Sequence, residues 1–306
     1  MTLFNKILSF TTLSLLMCIA ATHTKKSTGN VKQKQGVKRV VIDAGHGGVD
    51  IGARGSYSNE KTISLQVALK LEQEIKKQMP DVEVYMTRTT DIFDNPKVKA
   101  NKANAAKGDL FIAIHCNDAG PIRHSEFVGY KTVKYKKGKK WKTRQEKQYR
   151  TYTTPNPAKG TETFIWGVGK NEQKAQALRD FDESVNDSTI AEENKKMNDP
   201  EQIAMVSLKM SQYAERSRNL AFSVQDEFVK VGRVSREAKQ RQVGIWVLQA
   251  VAMPAILVEL GFISNPEEEE YLNSEKGQNE LSECIARAVR AYKANIENKM
   301  SSNGGK

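Results

Sequence analysis

The stretch VVIDAGHGGVDIGARG, residues 40–55, contains a buried-type strand followed by a histidine between glycines. Its β-branched apolar run ends at Asp43, and His46 follows with a glycine on each side. A short run rich in valine and isoleucine is typical of a strand covered on both faces. Glycine adopts backbone conformations that other residues avoid, so the loop can turn tightly beside the strand. The stretch therefore predicts a strand that delivers His46 at its carboxyl end.

Strand and helix patterns alternate along the rest of the chain. The segment SNEKTISLQVALKLEQEIKKQMP predicts a helix, because Ser58 or Asn59 can cap it and its apolar residues recur at helical spacing. Strand patterns follow in DVEVYMTR, DLFIAIHCN, GTETFIWGVG and a final strand around residues 255–259. This order predicts an α/β fold: a single twisted, mostly parallel sheet with helices on both faces, plus a basic arm and a helical insertion.

The N-terminus has the features of a cleaved secretory signal. Lys6 supplies a positive charge, residues 7–21 are mostly apolar, and Cys18 and Ala20 are small residues suited to a signal peptidase site. The segment is too short for a stable membrane span. We therefore predict a signal peptide over residues 1–21 and a periplasmic or secreted protein. A lipoprotein anchored through Cys18 is the alternative, although the bulky Met17 before it disfavours that processing.

Most of the net charge of +12 lies in one segment. Residues 131–150 contain ten Lys or Arg and one Glu, and they predict a protruding hairpin with its turn at Gly138. A pI near 9.4 is typical of nucleic-acid-binding proteins, but export argues against a nucleic-acid partner. Two interpretations of the hairpin remain: a surface for an anionic, sugar-rich polymer, or a solvated arm.

Three strand patterns end in a chemically capable side chain. VVIDAGH delivers His46, FIAIH delivers His115, and AILVE delivers Glu259. Because ligands gather beyond the carboxyl ends of parallel strands, these groups are expected at one place. Glu60 belongs to the same edge, since it lies in the first turn of the helix after the glycine loop. Two imidazoles and a carboxylate form a zinc ligand set with one position open to water, and Glu259 can serve as the base.

Each of these residues also has a purely structural interpretation. His46 can be a capped loop histidine, His115 a satisfied core residue, and Glu60 a helix-start acid stabilised by the helix dipole. Glu259 is the hardest to explain structurally, because a carboxylate that closes an apolar strand needs a partner. A phosphate-binding loop is excluded because GHGGVDIG has neither the G-x-G-x-x-G spacing nor a GK[ST] ending.

The order of the motifs carries a family resemblance. The chain resembles the zinc-dependent N-acetylmuramoyl-L-alanine amidases of the third amidase family, which include the cell-division amidases, in VIDAGHGGVDIGARG, the pair Glu60–Lys61, MTRTTD, DLFIAIHCND, GTETF and MPAILVELGFISNPEEEEYL. The resemblance implies one zinc ion per chain with ligands His46, Glu60 and His115, and Glu259 as the catalytic glutamate. One departure is Lys99, where the family often has arginine.

The resemblance also implies a domain layout and a function. After a linker over residues 22–36, the zinc amidase catalytic domain is expected over 37–296, with a basic insertion at 124–160, a helical segment at 171–241 and a disordered tail at 297–306. The implied reaction is cleavage of the amide bond between N-acetylmuramic acid and L-alanine in peptidoglycan, in wall remodelling and daughter-cell separation. The alternatives are a peptidoglycan-binding protein with a vestigial metal site, and a zinc peptidase or deacetylase acting on another wall amide.

The helical segment at 171–241 raises a question of control. Some members of the family carry a helical insertion that plugs the active site until an activator protein displaces it. Here Glu192, Glu193 or Glu201 could occupy the open zinc position, because carboxylates are competent zinc ligands. The competing interpretation is a long surface helix that serves only solubility.

Overall fold

The computed structural model describes residues 36–167, 171–185, 200–241 and 244–303, with side chains omitted at 183–185 and 299–303. The predicted signal peptide, and with it Cys18, lies outside the described residues, as does all of the linker except Gly36. No helix among the described residues is both long enough and apolar enough to span a bilayer.

Strands and helices alternate along the chain, as expected for an α/β fold. In chain order they are β1 (Arg39–Ala44), α1 (Glu60–Gln78), β2 (Glu83–Met86), α2 (Pro96–Ala105), β3 (Leu110–Asn117), β4 (Ile122–Lys137), β5 (Lys140–Thr154), β6 (Thr161–Ile165), α3 (Asn171–Val185), α4 (Pro200–Lys230), β7 (Ser235–Gln240), α5 (Trp246–Ala250), β8 (Ala255–Phe262), α6 (Pro266–Asn273) and α7 (Glu275–Asn303).

The main sheet has six strands in the order β2-β1-β3-β8-β6-β7. Strands β2, β1, β3 and β8 are parallel, whereas β6 runs antiparallel to β8 and β7 runs parallel to β6. The predicted mostly parallel α/β sheet is therefore confirmed. The carboxyl ends of β1, β3 and β8 lie at the same end of the strands, where β6 begins. We call this end of the sheet the site edge, and the end at which β1, β3 and β8 begin the opposite edge.

Helices cover both faces of this sheet. On one face α1, α7 and the C-terminal half of α4 pack against the strands, and on the other face α2 and α5 do so. Asn59 caps α1 by accepting a hydrogen bond from the Thr62 amide. The predicted apolar stripe of α1 is fully buried at Ile63, Val67, Leu71 and Ile75. Burial of each such side chain contributes about 1.5–3 kcal/mol, so the stripe fixes α1, and with it Glu60, against the sheet.

Two local predictions differ from the structure. The helical pattern was expected to continue to residue 241, but α4 ends at Lys230, Gly232 adopts a positive φ of 81°, and Ser235–Gln240 forms strand β7. Charged residues suit such an edge strand. The tail predicted to be disordered from residue 297 is helical to Asn303, because Ile296 packs against the core and Lys293 pairs with Glu297 at 2.9 Å.

Helix α3 is fastened by a buried lysine. Lys174 is fully buried, and its Nζ donates to the carbonyls of Leu248, Val251 and Met253 at 3.1, 2.5 and 3.0 Å. The same ammonium lies 4.8 Å from the centre of the Trp166 ring. Burial lowers the pKa of Lys174 to about 7. The lysine thus ties the start of α3 to the segment that precedes β8, at the opposite edge.

Replacing Lys174 with methionine should destabilise the protein strongly. Methionine keeps an unbranched side chain but leaves buried carbonyl oxygens without their donor, and each such group costs about 1–3 kcal/mol. We expect the free energy of unfolding to fall by about 3–5 kcal/mol, as measured by denaturant titration. The control is Lys70→Met, since Lys70 forms only an exposed hydrogen bond to Asn279. Equal stability of the two variants would show that Lys174 does not anchor α3.

Candidate metal centre

The glycines of the loop after β1 make room for two side chains. The Gly45 amide bonds to the Ile114 carbonyl at 3.0 Å, which holds the end of β1 against β3. A Cβ at Gly45 would lie 2.6 Å from Cε1 of His115, and one at Gly52 would lie 2.5 Å from Oε2 of Glu60. Any larger residue would therefore push His115 or Glu60 away. Close approach of side chains to the backbone explains why the loop is glycine-rich.

The structure brings together the three residues that the sequence analysis named as metal ligands. One potential ligand atom from each of His46, Glu60 and His115 lies within 4.8 Å of the others. Glu60 bridges the imidazoles: its Oε2 is 3.1 Å from His46 Nε2 and its Oε1 is 2.8 Å from His115 Nδ1. The two rings meet edge to face, with centroids 5.0 Å apart.

Glu60 is held as a buried carboxylate. Backbone amides donate to both of its oxygens, Ala53 to Oε2 at 2.7 Å and Cys116 to Oε1 at 3.0 Å. Burial acts to raise the pKa of Glu60, but hydrogen bonds from His115 and His46 outweigh it and hold that pKa well below its usual range. A carboxylate fixed from both sides and facing two imidazoles is preorganised to bind a cation.

Asp50 orients His46 from behind and was not identified from the sequence. Its Oδ2 lies 2.8 Å from His46 Nδ1, and its Oδ1 accepts from the Gly52 amide at 3.1 Å. The other ring nitrogen of His46, Nε2, faces Glu60. This carboxylate–histidine arrangement is the usual outer support of a metal-binding histidine. The spacing of four residues between His46 and Asp50 is the one sequence signal that could have revealed it.

Glu259 lies beside the cluster but is not part of it. In the register of β3 and β8, Glu259 is the partner of His115. Its side chain is buried, and its Oε2 has no hydrogen-bond partner among the described residues. Burial raises the pKa of Glu259 to about 7. A carboxyl group with a pKa near neutrality and a free oxygen can accept and donate a proton at physiological pH.

Glu162 is a second acidic residue at this edge that the sequence analysis did not assign. Because β6 is antiparallel to β8, Glu162 pairs with Glu259 in register. It accepts hydrogen bonds from Asn117 at 2.7 Å, Arg236 at 3.0 Å and Lys239 at 3.2 Å. Burial acts to raise the pKa of Glu162, but these donors lower it overall. Glu162 is therefore an ionised neighbour that favours the protonated form of Glu259.

Two buried cations hold the backbone just before His46. Lys99 Nζ donates to the Ala44 carbonyl at 2.6 Å and pairs with Asp43 at 3.0 Å. Arg88 bonds to the carbonyls of Ala44 at 3.0 Å and Gly45 at 2.6 Å. Arginine is frequent at position 99 in the resembled family. In this chain the lysine at that position anchors the end of β1.

Comparison with known proteins identifies the family. The model of the N-acetylmuramoyl-L-alanine amidase family matches residues 40–291, which include the cluster and Glu259. The chain belongs to this family. It is 32% identical over 254 residues to the N-acetylmuramoyl-L-alanine amidase AmiC of Escherichia coli O6:H1. The match covers 83% of this chain and 52% of that protein. It is 24% identical to AmiA of Escherichia coli K12, covering 88% of this chain and 82% of AmiA.

The chain spans about half the length of the AmiC relatives that it matches, 52% in both Escherichia coli and Neisseria meningitidis.

Solved structures of the amidase family share its fold. The N-acetylmuramoyl-L-alanine amidase of Clostridium difficile 630 is similar with a TM-score of 0.54 and 26% identity, covering 84% of this chain and 97% of that one. The amidase AmiC2 of Nostoc punctiforme has a TM-score of 0.52 at 22% identity, with 84% and 98% coverage.

Proposed function

We propose that the protein is a zinc-dependent hydrolase that cleaves the amide bond between N-acetylmuramic acid and L-alanine in peptidoglycan. The observation that carries this proposal is the His46–Glu60–His115 cluster beside the buried Glu259, in a chain that belongs to the N-acetylmuramoyl-L-alanine amidase family. The relatives named AmiC and AmiA support the same bond as the target.

The donor set fits one zinc ion. Zinc binds imidazole nitrogen and carboxylate oxygen, and catalytic zinc sites have three protein ligands with one position left open. His46, Glu60 and His115 supply such a set, with Asp50 supporting His46 from behind. When bound, zinc supplies Lewis acidity, which polarises a carbonyl group and lowers the pKa of water to about 7.

Glu259 would move the protons of the reaction. Its unpartnered Oε2 can take a proton from the attacking water as the new C–O bond forms. The same oxygen can then return the proton to the amide nitrogen as the C–N bond breaks. A pKa of about 7 suits both steps, because the carboxyl group exchanges protons readily at neutral pH.

Digestion of purified sacculi tests the bond assignment. Mass spectrometry of the products should show stem peptides with a new L-alanine amino terminus and glycan strands that keep the lactyl carboxylate. Cuts within the stem peptide would identify a peptidase, and loss of acetyl groups a deacetylase. Binding without any cut would leave a wall-binding protein with a vestigial site.

We also propose that the protein works in the periplasm or outside the cell, and that an activator protein controls it. Support for control comes from a fold relative, the CwlD amidase of Clostridioides difficile, which was solved in complex with the GerS lipoprotein. In this chain α3 and α4 pack on each other through Leu178 and Val206, with an ion pair between Asp182 and Lys209 at 2.5 Å. Ile203, Met205 and Leu208 on α4 are exposed and offer an apolar docking surface for a partner.

The candidate inhibitory segment lies mostly outside the described residues. Residues 186–199, which include Glu192 and Glu193, are not described, and Glu201 is exposed near the start of α4. Helix α4 contacts the amino end of β8 through Ser217, whose hydroxyl accepts from the Ala255 amide. The first residue of α4, Pro200, lies 17 residues before Ser217, a length of about 25 Å along the helix and away from the site. Glu201 therefore lies at the far end of α4 from the site, so an inhibitory carboxylate would have to come from residues 186–199.

Deleting residues 187–199 tests inhibition. If the segment restrains the enzyme, turnover of sacculi should rise about tenfold for each 1.4 kcal/mol by which it stabilises the inhibited state, with unchanged zinc content. Glu192→Gln combined with Glu193→Gln is the matched variant, because it keeps the length and removes only the carboxylates. A folded deletion variant with unchanged or lower turnover would exclude a plug and leave α3 and α4 as the docking surface.

A further inference from the structure

The arm formed by β4 and β5 has a sequence that packing does not explain. Strands of this length form a ribbon about 50 Å long, and none of its residues from Ile122 to Thr154 is buried. The strands pair from Ile122–Thr154 to Lys137–Lys140, and the turn lies at Gly138, as predicted. Packing therefore does not constrain the sequence of this two-stranded ribbon, and its side chains are available for contacts with a ligand.

Strand alternation divides the arm into two faces. A bulge between Phe127 and Gly129 shifts the register, so Phe127 and Tyr130 point to the same side. Phe127 meets Tyr130 and Tyr149 edge to face, with ring centroids 5.2 and 5.9 Å apart. Trp141 follows on the same side nearer the turn. We call this side, with its four exposed rings Phe127, Tyr130, Tyr149 and Trp141, the aromatic face.

Carboxylates are confined to the other face. Glu126 and Glu146 are the acidic residues of the arm, and they pair with Arg150 and Arg144, respectively. Arg144 also lies over the ring of Tyr135, 5.3 Å from its centre, on that same side. On the opposite face, two of the arginine charges are therefore balanced by carboxylates of the arm itself.

The cations of the aromatic face have no carboxylate beside them. Lys134, Lys136 and Lys147 alternate with the rings, Arg123 lies near the base, and none of them forms an ion pair with any residue that the structure describes. The rings are 47–69% exposed. Unpaired cations attract carboxylates, and exposed tyrosine and tryptophan rings present flat apolar surfaces with a polar tip. The ligand for this face is thus an extended polymer with both negative charge and apolar ring faces.

We propose that the aromatic face of the arm binds the anionic glycan of the cell wall, peptidoglycan, through its sugar faces and stem-peptide carboxylates. The identity of the polymer rests on the proposed function. Phe127, Tyr130 and Tyr149 form a cluster nearer the base, and Trp141 lies near the turn. Two contact points along one face suit a strand lying along the ribbon, whereas a membrane surface would be met by apolar residues gathered at the tip.

The arm is rooted where a bound strand could reach the site. It leaves the sheet after Asn117 of β3, two residues beyond His115, and returns before Glu162 of β6. The Asn156 side chain donates to the Ala119 carbonyl at 3.2 Å and closes the base. Glycan bound near the base of the aromatic face would therefore lie close in the chain to the carboxyl end of β3, which carries His115.

Two charge-matched variants test the face assignment. Lys134→Gln, Lys136→Gln and Lys147→Gln remove charges from the aromatic face, and Lys131→Gln, Lys137→Gln and Lys142→Gln remove the same charge from the opposite face. Both sets are made in the full chain carrying Glu259→Gln, so that sacculi are not digested during sedimentation. Hydrogen exchange of the cross-strand amides checks that the hairpin is intact in each variant.

We expect the aromatic-face set to weaken sacculus binding about tenfold at an ionic strength of about 0.15 M, where the Debye length of about 8 Å limits the attraction to cations beside the glycan. The opposite-face set should change binding less than about twofold. Trp141→Ser with Tyr149→Ser should weaken binding even at about 0.3 M salt, because ring contacts are not screened. Tyr135→Ser serves as its control. Equal losses for both charge sets, or no loss in either, would overturn the proposal.

Two other probes separate this proposal from its rivals and from the proposed reaction. The protein should bind phosphatidylglycerol vesicles and duplex DNA more weakly than sacculi. If the aromatic-face substitutions weakened binding to vesicles or DNA but not to sacculi, the assignment of peptidoglycan as the ligand would be wrong. In chains that retain Glu259, cleavage of small soluble muropeptides should be the same with and without the aromatic-face substitutions. Face-dependent binding without any amide cleavage would refute the reaction and leave the binding surface standing.

Discussion

Replacing His115 with alanine should abolish zinc binding and hydrolysis together. The change removes one of three ligands and leaves Glu60 with one imidazole partner, His46. A site with two protein ligands holds zinc poorly, so we expect zinc affinity to fall by more than about 100-fold, beyond the 10–100-fold typical of losing an outer support. Zinc content after gel filtration and turnover of sacculi measure the two effects.

Asp50→Ala is the graded control for this prediction. Asp50 contacts His46 Nδ1 at 2.8 Å without belonging to the cluster, so its loss should cost only about 10–100-fold in zinc affinity. Added zinc should restore the turnover of Asp50→Ala but not that of His115→Ala. Full zinc content and full turnover in His115→Ala would remove this histidine from the ligand set.

Replacing Glu259 with glutamine should separate chemistry from metal binding. Glutamine preserves the shape but cannot accept a proton, so kcat should fall by about 10²–10⁴-fold while zinc content stays unchanged. In the proposed mechanism the carboxylate form would act as the base, and it dominates above its pKa of about 7. Wild-type kcat should therefore decline as pH falls through 7, and the variant should lack this decline. Loss of zinc in the variant would make Glu259 a ligand.

The same substitution should stabilise the zinc-free protein. Because burial raises the pKa of Glu259 from 4.5 to about 7, the folded state binds more protons than the unfolded state between these values. Wild-type stability should thus decrease as pH rises through this window, and glutamine removes the cost. We expect a gain of about 3 kcal/mol at pH 8 and almost none at pH 4. A gain that does not depend on pH would point to packing.

The strand ends of the site could be predicted because they follow from local patterns and one topological rule. Apolar runs identify β1, β3 and β8, and parallel pairing places the residues after them at one edge. His46, His115 and Glu259 were placed in this way, and the structure brings them together there. Glu60 followed from its position at the start of α1.

Residues that depend on strand direction or on distant contacts could not be predicted. Glu162 faces Glu259 only because β6 is reversed relative to β8, and a five-residue strand carries no signal of its direction. The role of Lys174 depends on carbonyls more than 70 residues away. Strand β7 is polar except for Ala238 and pairs only with β6 at the side of the sheet, so its sequence resembles a continuation of α4.

The reversal of β6 gives the two insertions different tolerance to change. The arm leaves from the carboxyl end of β3 and re-enters at the amino end of β6, both at the site edge, so it can be shortened, lost or transplanted without re-routing the chain. The segment between β6 and β7 must instead cross from the opposite edge back to the site edge, because those strands are parallel. The arm is thus a removable accessory, whereas a crossover connection, here α4, must persist in any descendant that keeps β7 parallel to β6.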